Sequence, residues 1–112
     1  MSVLDYDPAG MDALASTLMA SATGIMNERS RIHFTAASPD FVGPAADRFY
    51  EHCAGQVARL DAIYGDLMAA AAQLNSSAAT VRSEQQREQA RLAAEAEKAR
   101  AAAAAQQEGD GA

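Results

Sequence analysis

The sequence predicts an all-α protein: an antiparallel helix-turn-helix hairpin that pairs into a four-helix-bundle dimer and carries an extended C-terminal helical tail. Three observations predict it. Apolar residues recur every seven positions in two long segments, a Gly-Pro step separates those segments, and the composition is 49% hydrophobic but only 5% aromatic, as alanine-rich helices are. With 112 residues the chain holds one domain at most. We divide it into a hairpin over 1–81, with a helix at 8–37, a turn at 38–44 and a helix at 45–81, and a charged, Ala-rich helical tail over 82–112.

The first helix starts at Asp7-Pro8. The Asp side chain is an N-cap acceptor, and the fixed φ and missing N–H of proline suit the first helical position. From there Met11, Leu18, Ile25 and Ile32 repeat at heptad spacing, Leu14 follows Met11 by three, and Ala15 and Ala22 fill neighbouring positions, so one side of this helix is a seam. Gly24, in its middle, reads as tolerated slack. Ser38-Pro39 predicts the end of the helix near Ala37, because a residue preceding proline is pushed out of the α region.

Phe41-Val42-Gly43-Pro44 closes the hairpin. Phe41 is a large aromatic able to plug the open end of the bundle, Gly43 tolerates positive φ where the chain reverses, and Pro44 presets φ for the first turn of the next helix. In that helix Ala46, Cys53, Leu60, Leu67, Leu74 and Val81 occupy one heptad position; Phe49, Ile63 and Ala70 lie three residues after members of the row, and Tyr50, Val57, Tyr64 and Ala71 flank it. The predicted hairpin and dimer seam is therefore Met11, Leu14, Leu18, Ile25, Ile32, Phe49, Cys53, Val57, Leu60, Ile63, Tyr64, Leu67 and Leu74. This apolar face is wider than one partner helix covers. Pairing of two hairpins is expected to bury Met19, Met26, Val57 and Tyr64 too, at about 1.5–3 kcal/mol for each large side chain fully covered, so an obligate dimer is expected.

Beyond Val81 the seam ends. Leu92 is the one large apolar residue of 82–112, and the opposite charges Glu84/Arg87, Glu88/Arg91, Arg91/Glu95, Glu95/Lys98 and Glu97/Arg100 stand three or four apart. Such pairs contribute about 0.2–0.5 kcal/mol each, enough for a solvated single helix that frays toward its end. Its role reads equally as a recognition handle or as a solubilising extension.

Charge and composition narrow the function. Of the net charge of −6, the stretch to Val81 holds −5 (four Arg against nine acidic residues) and the remainder −1 (five basic against six acidic). An acidic surface repels phosphate backbones and anionic lipid, so nucleic acid is not expected as a partner and a membrane ranks last. Cys53 stands alone, which rules out a disulfide framework within the chain. No basic n-region or apolar h-region opens the sequence, and the longest apolar run, Leu67 to Ala72, is far short of the roughly 20 residues of a spanning helix, so we expect a soluble protein without a Sec-type signal. Catalysis finds little support. Glu51, His52 and Cys53 are adjacent and point about 100° apart around a helix, and so do not form one ligand sphere; a buried seam thiol is favoured over a Cys53/His33 nucleophile pair. No catalytic residue, metal site or cofactor site is assigned, and no phosphate-binding glycine loop occurs.

Between the heptad segments, Phe41-Val42-Gly43, the small pair Ala45-Ala46 and the aromatic Phe49 together resemble the turn of the WXG (ESAT-like) family of type VII secretion substrates and partners, over roughly residues 3 to 85. Phe stands where that family has Trp. The resemblance implies a small non-enzymatic protein, cytoplasmic before export and then secreted or at the cell surface, that pairs with another helical hairpin and meets the type VII machinery. The family's Tyr-x-x-x-Asp/Glu export signal does not occur: Tyr6, Tyr50 and Tyr64 are followed four residues on by Gly10, Ala54 and Met68. The resemblance then implies a heterodimer in preference to a homodimer, with the signal supplied in trans, or alternatively an intracellular adaptor or chaperone docked on the helical N-terminal domain of a larger effector toxin.

Overall fold

A computed structural model describes residues 2–36 and 41–110. Its elements are a 3-10 turn at Val3–Asp5, a helix α1 at Pro8–Ala36 and a helix α2 at Pro44–Asp110, with no strand among the described residues. Helix α1 begins at Pro8, and the carboxylate of Asp7 accepts a hydrogen bond from the Gly10 amide at 3.0 Å, satisfying one of the donors that a helix start leaves unpaired. At the other end of the hairpin Gly43 has φ 108°, a conformation that L side chains rarely adopt. Its carbonyl takes the Asp47 amide at 2.9 Å as the first bond of α2. The expected helix stop at Ala37 and the Ser38-Pro39 part of the turn lie outside the described residues.

Helix α2 runs through Val81 without a break to Asp110, 67 residues in all; the last two residues of the tail, where fraying is expected, lie outside the described residues. Three of the five charge pairs read from the sequence are formed: Glu88–Arg91 (2.5 Å), Arg91–Glu95 (2.7 Å) and Glu97–Arg100 (3.0 Å). Arg91, held between acids one turn on either side, pins the middle of the tail.

The helices pack antiparallel. Arg29–Asp61 (2.6 Å) and Arg82–Asp12 (2.5 Å) join them near opposite ends of α1. This register brings Met11 to the height of Val81, Leu18 to Leu74, Ile25 to Leu67 and Ile32 to Leu60. Below α1 the pairing continues through the N-terminal turn: Ser2 and Asp5 form a reciprocal capping box, and the Gln85 side-chain amide donates to the carbonyls of Val3 (3.1 Å) and Tyr6 (2.9 Å). The hairpin thus extends to Gln85, and among the described residues the rest of α2 projects without a lateral partner as a rod. The described chain measures 104 × 15 × 15 Å between Cα atoms.

Among the described residues only alanines are buried: Ala15 and Ala22 of α1, and Ala46, Ala71 and Ala78 of α2. Both Ala15/Ala22 and Ala71/Ala78 are heptad pairs. Side chains this small allow the helix backbones to approach closely, but a layer of methyl groups hides little apolar area from water. At Gly24 an added Cβ would meet nothing within 4 Å, as the slack reading expects.

Candidate interaction surface

Of the predicted seam, Met11, Leu18, Ile25, Ile32, Cys53, Val57, Leu60, Tyr64, Leu67 and Leu74 are half-buried, while Leu14 (51%), Ile63 (44%) and Phe49 (38%) are exposed. The second inward row of α2 is Tyr50, Val57, Tyr64, Ala71 and Ala78, which the sequence reading treats as a flank; Phe49, Ile63 and Ala70, read there as seam partners, form the outer edge. The reason is geometric. A row four residues after the Ala46 row and one three residues after it border it on opposite sides, and the close fit at Ala15, Ala22, Ala71 and Ala78 selects the former.

The two long sides of the hairpin are therefore unlike. One, the ion-paired side, carries Asp12–Arg82 and Arg29–Asp61 together with Met19, Met26, Val57 and Tyr64. Met19 is 42% exposed and the other three are half-buried. The other, the apolar side, combines Met11, Leu14, Leu18, Ile25 and Ile32 of α1 with the α2 rows from Ala46 to Val81 and from Phe49 to Ser77. Within these rows stands Glu28, whose carboxylate is held by Arg31 at 2.6 Å, and Arg31 and His52 join it around the turn end of this side. Met19 and Met26, which the sequence reading expects a dimer to bury, lie on the side that ion pairs cross.

At the turn end the apolar side opens into a groove of about 390 Å³ lined by Glu28, Arg31, Ile32, Phe49, His52, Cys53 and Gln56. Beside it the aromatics interlock: Phe41 meets Phe49 edge to face (centroids 5.5 Å, 82°) and Tyr50 likewise (5.9 Å, 74°), the arrangement that ring quadrupoles favour. Phe41 is 42% exposed, so it caps the turn and remains a contact surface rather than a buried plug. Val42 next to it is exposed, and Gly43 and Pro44 are exposed turn residues.

Cys53 is a half-buried free thiol that lines this groove and, with His33, a second one of about 350 Å³ on the ion-paired side, whereas His52 lines the first. Among the described residues no group of three or more His, Cys, Asp or Glu gathers in metal-binding array, and no helix is long and apolar enough to cross a membrane. The N-terminal turn and both interhelix ion pairs escape the sequence reading. The pattern Ser2-x-x-Asp5 is the signal for the first; for the ion pairs, residues 32 and 70 apart in sequence, a single sequence carries none.

Comparison with protein families, with curated proteins and with solved structures finds no match for this chain.

Proposed function

We propose that this chain is a small non-enzymatic substrate or co-exported partner of a type VII secretion system, acting by pairing its hairpin with a second helical hairpin. The observation that carries the pairing is the apolar side itself. Leu14, Phe49 and Ile63 stand exposed beside half-buried Leu18, Ile25, Leu60 and Leu67, and a second helix pair laid there would complete a four-helix bundle. The turn Phe41-Val42-Gly43, with positive φ at Gly43, supports the assignment to the export system through its likeness to the family turn.

A second reading is favoured by the missing Tyr-x-x-x-Asp/Glu signal: an intracellular adaptor that covers the helical N-terminal domain of a larger effector through the same side. An immunoblot of culture filtrate from the host, with and without the type VII ATPase and with a cytosolic lysis control, separates them. The export reading expects ATPase-dependent appearance in the filtrate. Retention in the cell, with co-purification of a larger helical protein, would replace it with the adaptor.

A further inference from the structure

We infer that the tail is a docking helix for a second copy of this chain: it lies antiparallel along the ion-paired side of the other copy's hairpin and receives that copy's tail in return. The contact uses the side opposite to the pairing proposed above and stands or falls independently of it.

Three observations lead to it. Past Gln85 the tail has no lateral partner among the described residues, and its one large apolar side chain, Leu92, is 43% exposed. On the ion-paired side, exposed Met19 and half-buried Met26 stand two turns apart on α1, with Thr23 between them. Further toward the turn, Asp61 is exposed and held by Arg29, while Arg100 of the tail is exposed and held by Glu97.

An apolar knob and a charge pair then ask for the same register. The ion pairs of the hairpin place Met19 and Met26 about level with positions 73 and 66 of α2, so a side chain seated midway between the two methionines is level with Ala69 and Ala70. An antiparallel tail that puts Leu92 there brings its Arg100 level with Asp61 to within about 1.5 Å, the rise of one residue. The charge order that results, Glu97 and Arg100 of one copy followed by Asp61 and Arg29 of the other, alternates in sign. Where the tail crosses, α2 presents Ala58, Gly65, Ala72 and Ala79, all exposed. A Cβ added at Gly65 would meet nothing within 4 Å, so the two backbones have room to close.

The register is its own inverse, as an isologous contact requires: the two-fold axis falls level with Thr80 and Val81, and each tail covers the other hairpin. Arg82 stands beside that axis with its charge met by Asp12. The overlap runs from 54 to 107 of α2, about 80 Å, and over a helix width of about 10 Å gives a face of the order of 800 Å², the size that one partner contributes to a stable specific interface.

The test is Met19→Cys/Leu92→Cys, made in the full chain with Cys53→Ser, treated with bismaleimidoethane and run on a denaturing gel. Within one chain these positions lie about 28 Å apart along the rod, beyond this short linker, whereas in the docked pair position 19 of one copy and 92 of the other are about 5 Å apart along the axis. Two copies of position 92 are then about 35 Å apart and two of position 19 about 22 Å. Both substitutions fall on exposed residues, and circular dichroism checks that helicity is kept. We expect a covalent dimer from the double variant, none from Met19→Cys or Leu92→Cys alone, and a yield at least tenfold lower when Gly65→Leu is added, a change that the open space at Gly65 lets the hairpin itself accept. Absence of the covalent dimer from the double variant overturns the inference. So does a dimer from Leu92→Cys alone, which would pair the tails with each other, or an undiminished yield with Gly65→Leu.

Discussion

The hydroxyl of Tyr50 donates to the carbonyl of Phe41 at 2.8 Å, fastening the chain that enters α2 to that helix's second turn. With the stacked edges of Phe41 and Phe49 it fixes the shape of the turn end. Tyr50→Phe keeps the ring contacts and removes this bond. We expect a loss of about 1 kcal/mol or less at this half-buried site, read from urea unfolding followed by circular dichroism; unchanged stability would mean that the rings alone hold the turn.

Gly43→Val places a β-branched side chain at φ 108°. An added Cβ meets no neighbour there, so the expected cost is backbone strain alone, about 1–3 kcal/mol. The same urea experiment reads it, and Gly43→Asn, which tolerates positive φ better, should lose less.

Ala22→Leu tests the close contact of the helices. Ala22 is fully buried against α2, and three extra heavy atoms have no room unless the backbones separate. Overpacking of this kind costs about 1–3 kcal/mol. Ala20→Leu, on an exposed position of the same helix, should be nearly neutral, and equal losses in the two variants would contradict the observed register.

Gly24→Ala should act in the opposite sense. The glycine sits inside α1 with open space where its Cβ would be, so alanine gains helix propensity of up to about 1 kcal/mol without a clash. A melting temperature at or below that of the parent chain would show that the site meets a partner absent from the isolated hairpin.

The tail should respond to acid. A hydrogen bond from Arg91 holds the Glu88 carboxyl below its usual value, against some desolvation and with the Arg91 charge adding to the pull; the paired acids in turn raise Arg91. A carboxyl lowered in the folded state stabilises fully above its unfolded value, near 4, and that contribution is lost as pH falls through the folded value. Helicity of the tail, followed by amide exchange across residues 86–100, should therefore weaken below about pH 4, and also with added salt. Arg91→Ala should flatten the acid response; superimposable pH curves for the two proteins would rule out this pair as its origin.

The element starts were legible because their signals are local. Asp7-Pro8 marks one helix start by a side-chain cap and a fixed φ, and Gly43-Pro44 marks the other by a left-handed residue followed by the same constraint. The charge pairs that keep 82–110 helical are read in the same way from spacing of three and four. Which rows of α2 face inward was not legible, because Phe49/Ile63 and Val57/Tyr64 are equally apolar and lie on opposite sides of Leu60. The choice is made by the fit of Ala71 and Ala78 to Ala15 and Ala22, a property of two helices together. For the same reason the sequence places Met19 and Leu14 on one broad apolar face, and only the register of Arg29 against Asp61 separates them onto different sides.

The transverse dimension of 15 Å between Cα atoms sets an aperture. With side chains added, a hairpin advancing end-on clears an opening of about 20 Å, whereas a compact chain of similar length, with a radius of gyration of about 13 Å, needs one of about 33 Å. A conduit between those bores would pass the unpaired hairpin folded and reject ordinary globular proteins of its mass. Selection by such a conduit would act on girth, and the seam would stay closed throughout the passage.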